Sequence, residues 1–252
     1  GLSHGGATRW IQLGGFSFQP VEILKFGFII YFAAWLSWVK NKVQDFRFGI
    51  LPFGIMLAII ALILFNQPDV KRFILITVTG ATMLFISGIP MKYILGIGVG
   101  AFLVLGSLVF YKPYLQERIK TFISPSSDPQ GSSYQIQQSL ITLGSGGILG
   151  RGFGQSIQKF GYLPEPQGDS IFAVLGEEFG FIGTSITIFL FLLFASRGFY
   201  IANNSPNLFS RLLVSGIVIL IVAQSFLHIA SITGVFPLTG VPLPFMSHGG
   251  TS

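Results

Sequence analysis

The chain has 252 residues, 51% hydrophobic and only 10% charged, with a net charge of +6 and a mean hydropathy of +0.71. Soluble domains carry roughly 25% charged residues, and a water-exposed globule has no way to hide this much apolar surface, so the bilayer is the natural solvent. The basic residues fall mainly between apolar runs, which suits anionic headgroups or an anionic lipid substrate; no basic run or aromatic–basic module points to nucleic acid.

The chain opens on Gly1 without a basic region or cleavage site, so it does not read as a signal peptide. It stops at Ser252 inside a glycine-rich stretch and reads as a fragment lacking both ends. A spanning helix needs about 20 apolar residues, and six runs meet or approach that: 21–38, 48–66, 73–89, 93–111, 171–196 and 209–231. Together they predict an all-α polytopic membrane protein forming a single partial transmembrane domain over 1–252.

Residues 1–20 form a lead-in, and Pro20 suits the first turn of the first span. Glu22 and Lys25, three apart on one helix face, are placed to pair. They read either as a structural ion pair or as the polar wall of a cavity that receives a charged headgroup. Lys40, Lys42 and Arg47 crowd the next connection, which places it in the cytoplasm; alternation puts Lys92, Arg197 and Arg211 there too, while Lys71 and Arg72 count against this orientation. Asp69 sits between the second and third spans after Pro68 and reads as a helix-start residue.

Residues 112–170 are too long and too polar for a simple connector, and by alternation they face outward. Within them 114–123 places Leu115, Ile119 and Phe122 on one face, as in a short interfacial helix. A second helix is expected near 134–143, followed by GSGGILGRGFG. That run is no P-loop, since it lacks the Gly-Lys-Ser/Thr ending. It reads as tight turns or as backbone able to approach an anion. Asp169 stands where polar loop meets apolar helix, with Glu165 as a neighbouring acid. Partial desolvation there would favour a general base; the competing reading is a helix N-cap. Glu177 and Glu178 lie within the apolar run and read as structural or cavity-lining. With no cysteine, and with His4, His228 and His248 far apart, thiol chemistry and a histidine metal site find no support.

Three stretches resemble one family. YQIQQSLITLGSGGILGRGFGQSIQKFGYLPEPQGDSIFAVLGEEFGFIG resembles the signature loop of the SEDS proteins (shape, elongation, division and sporulation). GGATRWIQLGGFSFQPVEILKF resembles the approach to one of their spans, and PLTGVPLPFMSHGGTS their late Pro-Phe-x-Ser-Tyr-Gly-Gly motif. The likeness covers essentially the whole chain. QKFGYLPEP followed by GEEFG is similar to the division subfamily, FtsW, rather than to the RodA subfamily. The resemblance implies a ten-span peptidoglycan glycosyltransferase polymerising lipid II, of which the six spans here would be the fourth through ninth.

By the same resemblance Asp169 is the catalytic general base, and Gln19, Pro20, Glu22 and Lys25 form the conserved Gln-Pro-x-Glu-x-x-Lys set. An inverting transfer would release undecaprenyl pyrophosphate, whose charge calls for Lys25, Arg9, Arg151 and Lys159, or a divalent ion such as Mg or Mn. Glu165 completes the candidate substrate-binding set. No cofactor is otherwise implied. The implied partners are lipid II, undecaprenyl-linked glycan, membrane lipids, and a class B penicillin-binding protein with other divisome proteins; the implied location is the bacterial inner membrane at the septum, active site outward. Departures from the family pattern fall at Gln167, Gly168, Ser170, Lys71, Arg72, His228 and His248. The competing functions are a lipid II flippase and a division-site scaffold without chemistry.

Overall fold

The computed structural model describes residues 2–4, 7–13, 16–67, 69–124 and 132–248. Three short strands, β1 (Leu2–His4), β2 (Ala7–Leu13) and β3 (Phe16–Phe18), precede the helices. They form an antiparallel meander in the order β1-β2-β3, with Ile11 opposite Phe18 and Leu13 opposite Phe16. The lead-in thus has secondary structure of its own, which a reading by apolar spans does not anticipate. Its Thr, Trp, Ile and Phe content is that of a strand former.

Among the described residues eight α-helices come next: α1 (Pro20–Val39), α2 (Ile50–Asn66), α3 (Val70–Ile86), α4 (Met91–Tyr111), α5 (Pro113–Ile123), α6 (Ser132–Ser145), α7 (Ile171–Asn203) and α8 (Leu208–Ile232). A short 3-10 turn at Lys40–Gln44 succeeds α1. All six expected spans are helices, and both expected helices of the 112–170 segment are present as α5 and α6. Proline sets the starts of α1 and α5, where its missing N–H leaves no intrahelical bond unmade. By length and composition α1, α4, α7 and α8 are able to cross a bilayer. Helices α2 and α3, at 17 residues each, stand at the lower bound of about 17 for a span.

The chain divides into two compact units. One gathers residues 1–103 and 194–223. Its core is an aromatic stack from α1 and α2, with ring centroids 5.4 Å apart for Phe28–Phe32 and 5.2 Å for Phe32–Phe53. Small residues admit the neighbouring helices, as is usual in membranes: a Cβ on Gly80 of α3 would lie 2.3 Å from Phe53, and one on Gly216 of α8 would lie 2.7 Å from Ile29.

The other unit gathers residues 104–193 and 224–250. Its core joins Ile136 of α6, Phe172, Ala173 and Phe191 of α7, Ile229 and Ile232 of α8, and Leu238 and Leu243 of the segment after α8. Arg118 of α5 donates through Nη1 to the Leu238 carbonyl at 2.8 Å. Large apolar side chains remain on the outer faces of the spans, among them Leu95, Val99 and Phe102 of α4 and Ile186, Phe189 and Leu190 of α7. In water such surface would drive association; against lipid tails it is the matching solvent.

Candidate active site

The loop before α7 is closed by its own backbone. Glu165, in the left-handed region at φ 47, accepts the N–H groups of Gly168 and Ser170 at 3.1 Å each. Ser170 Oγ donates to the Pro164 carbonyl at 2.8 Å and accepts from Gln135 Nε2 at 3.3 Å. The Ser170 carbonyl accepts from Ala173 and Val174, so Ser170 rather than Asp169 occupies the cap position. This corrects the N-cap reading of Asp169: helical hydrogen bonding begins one residue later than that role requires.

The segment after α8 grips the same loop from the other side. Ser247 Oγ donates to the Gly168 carbonyl at 2.8 Å, and His248 N–H donates to the Gln167 carbonyl at 2.7 Å. That segment is held in turn by one face of α8. Gln224 Nε2 donates to the Pro242 carbonyl at 3.0 Å, His228 Nδ1 meets the Val241 carbonyl at 2.6 Å, and Ser231 and Thr239 share a hydroxyl bond of 2.8 Å. Gln224, His228 and Ser231 recur at helical spacing on one face, forming a polar zipper along an extended chain.

Asp169 therefore sits between backbone groups that are bonded on both sides. Its own carboxylate is half-buried and, among the described residues, accepts no hydrogen bond and joins no ion pair. It acts electrostatically on His228, whose ring is 1% exposed and whose Nε2 lacks a hydrogen-bond partner among the described residues. A half-buried carboxylate without an internal partner is available as a proton acceptor. The Glu165 side chain is exposed.

Helix α7 breaks at Gly180 (φ 64, ψ −161), and the glycine-rich run fills the break. In an unbroken helix Phe181 and Ile182 would donate to the carbonyls of Glu177 and Glu178. Instead Phe181 N–H donates to Gly147 at 2.9 Å and Ile182 N–H to Ile148 at 3.2 Å, while the Glu177 and Glu178 carbonyls accept from Arg151 and Gly152 at 2.9 Å each. Two helical bonds are replaced by four. Backbone contact this close requires glycine: a Cβ on Gly150 would lie 2.2 Å from the Glu178 carbonyl oxygen, and one on Gly180 would lie 2.4 Å from the Gly150 nitrogen. The N–H groups of Gly147, Gly150, Arg151 and Gly152 are all engaged within the protein. The run works as a helix insert, and these four donors are not directed at an anion.

The paired acids anchor residues 151–159. Glu177, fully buried, accepts from Ser156 Oγ and from the N–H groups of Ile157 and Gln158, and its Oε1 lies 3.4 Å from Arg151 Nε. Glu178 pairs with Lys159 at 2.8 Å, and Lys159 also donates to the Gly154 carbonyl at 2.9 Å. Arg151 and Lys159, expected from the sequence as phosphate ligands, are thus each tied to a carboxylate.

In the other unit, Lys25 pairs with Glu22 at 2.7 Å. Arg72 then joins Glu22, at 3.2 Å, to Asp69 and to the Gln19 side chain. The expected Glu22–Lys25 pair is one part of a five-residue network with two acids and two bases. Asp69 and Arg72 are additions to the expected pair, because they lie at the start of a different helix, with Arg72 50 residues from Glu22. The signal available was the charge balance of four rare ionisable residues at the starts of two spans. Arg9 lies on β2, and its side chain falls outside the described residues. Among the described residues, no group of three or more His, Asp or Glu side chains is gathered for a metal ion.

Known proteins are similar to this chain in sequence and in fold. The family model for cell cycle proteins of the FtsW, RodA and SpoVE type matches residues 1–252. A probable peptidoglycan glycosyltransferase FtsW of a Geobacter species is 40% identical over 247 residues, which cover 98% of this chain and 67% of that protein. Stage V sporulation protein E of Bacillus subtilis is 40% identical over 253 residues, covering 100% and 69%. A solved peptidoglycan synthase complex, described as coordinating polymerization and crosslinking, includes a chain that matches with a TM-score of 0.81 at 26% identity, covering 100% of this chain and 70% of that one. The rod shape determining protein RodA of Thermus thermophilus matches at 0.68 and 25% identity, covering 100% and 66%. The chain spans about two thirds of the length of its curated relatives, 67% and 66% for two Geobacter proteins. With a model match over its whole length and these relatives, the chain belongs to the FtsW/RodA/SpoVE family of multi-pass membrane proteins.

Proposed function

We propose that this chain is part of the membrane domain of a peptidoglycan glycosyltransferase that polymerises lipid II during septal wall synthesis. Asp169 is the general base. It takes the proton of the GlcNAc 4-hydroxyl of lipid II as that oxygen attacks the anomeric carbon of the growing chain. The new glycosidic bond forms as the bond from that carbon to the pyrophosphate oxygen breaks, with inversion, and undecaprenyl pyrophosphate departs. The observation that carries this reading is the Asp169 carboxylate, unengaged among the described residues, inside a loop whose neighbouring backbone is bonded on both sides. Such a group is oriented without being neutralised.

The departing pyrophosphate calls for positive charge. We assign Lys25 to it, held by Glu22 with Gln19 alongside in a preformed network, together with Arg9. Arg151, engaged through Nε and with its side chain 38% exposed, has no partner for its terminal guanidinium nitrogens among the described residues and is assigned to the same ligand. Lys159 and Glu165 line the approach to Asp169 in this reading. A class B penicillin-binding protein is the proposed partner, in keeping with the polymerising and crosslinking complex among the structural relatives. The loop 112–170 and the active site are assigned to the outer face of the bacterial inner membrane, at the septum.

The test uses the full-length protein with its partner and labelled lipid II. Asp169→Ala is expected to abolish glycan strands while leaving lipid II binding in place. Strands formed at the wild-type rate would remove Asp169 from the mechanism. A flipping assay on the same pair of proteins separates transport, which would survive the substitution, from chemistry.

A further inference from the structure

The segment 148–160 carries more exposed apolar surface than a water-facing loop tolerates. Phe153 is 83% exposed, Leu149 78% and Phe160 74%, with Ile148 close behind. These side chains sit on a backbone bonded to the broken part of α7 at Glu177–Ile182. Phe153 lies with its ring 6.0 Å from that of Phe179 on α7. Phe179 begins an exposed apolar face that continues through Phe181, Ile182 and Ile186.

The depth of that attachment is set by charge. Between Glu178 and Arg197, α7 contains no Asp, Glu, Lys or Arg, a run of about 27 Å at 1.5 Å per residue. This matches a hydrocarbon thickness of roughly 30 Å. The charge-free run starts at Phe179, so the loop is fastened where α7 enters the hydrocarbon. Irregular backbone at that level is stable only if its polar groups are bonded within the protein. The four bonds across the Gly180 break engage the backbone of residues 147–148 and 151–152, and the two cations of the segment are paired with Glu177 and Glu178.

We propose that residues 148–160 form a re-entrant loop seated in the bilayer, with Ile148, Leu149, Phe153 and Phe160 among the acyl chains just beneath the headgroups. The occupant of this apolar face is lipid, because it continues the lipid-facing surface of α7 without a step. The loop thereby fixes the height of α7 in the membrane. Its seating is independent of the chemistry assigned to Asp169.

The experiment places a nitroxide at Leu149→Cys and, separately, at Phe153→Cys in the full-length protein, in a background without other cysteines. The protein is reconstituted in nanodiscs of phosphatidylethanolamine and phosphatidylglycerol. Both positions are open, so the label has room. Dissolved oxygen is expected to relax both labels more strongly than a water-soluble nickel chelate, with the reverse order for a label at the exposed Glu117→Cys. Phe153→Trp should likewise be quenched by brominated lipid more than by aqueous acrylamide. Relaxation dominated by the nickel chelate would put the loop in water. Protection from both reagents would mean that protein, a partner or another part of the chain, covers it. Either result overturns the proposal.

Discussion

Asp169 and His228 show how little of a site is visible in residue type alone. Asp169→Asn keeps the shape of the loop and removes the proposed base, so polymerisation should fall by roughly 10²–10⁴-fold, with the loss in kcat and little change in KM. Lipid II turnover at saturating substrate measures it. His228 supports the loop through a neighbouring segment: it holds the Val241 carbonyl, and from that segment Ser247 and His248 reach Gly168 and Gln167. His228→Leu leaves that buried carbonyl without its donor, a loss of about 1–3 kcal/mol. His228→Asn retains a donor and should recover most of it. Thermal unfolding of the detergent-solubilised protein ranks the three, and equal melting temperatures for Leu and His would contradict the zipper.

At the level of elements, the break in α7 and the network at the starts of α1 and α3 make separate predictions. Gly150→Ala combines a left-handed φ of 79° with a Cβ 2.2 Å from backbone, whereas Gly154→Ala has a similar φ of 77° and open space. The second should cost about 1–2 kcal/mol from backbone strain alone; the first should cost markedly more, because neither the loop nor the helix has room to yield. Comparative melting curves separate them. In the network, Arg72→Met strands Asp69, which is 1% exposed, and should destabilise by about 3–5 kcal/mol. Adding Asp69→Asn should restore much of that. A double-mutant cycle in melting temperature tests the coupling, and additive losses would show that the pair is not a unit.

Across the whole molecule, the sequence announces the spans and conceals their joints. Apolar run length is a one-dimensional property, so the six helices expected as spans and the amphipathic α5 are legible in it. The meander β1–β3 is not, because three- to seven-residue strands leave a faint signal beside 20-residue helices. The catalytic candidate Asp169 is visible from its place at a polar–apolar boundary and from the family resemblance. Its support is not, because Gly168 and Ser247 meet across 79 residues of chain. The glycines of 144–154 read as turns or an anion cradle, since no local pattern tells that Gly180 opens a helix to receive them. The four bonds across that opening have a mechanical consequence. The halves of α7 are joined partly through the loop, so the amides of Arg151, Gly152, Phe181 and Ile182 should exchange with solvent as one cooperative group. Inserting or deleting a residue between 147 and 152, harmless in most surface loops, would here shift the rungs of a splice and loosen the membrane helix itself.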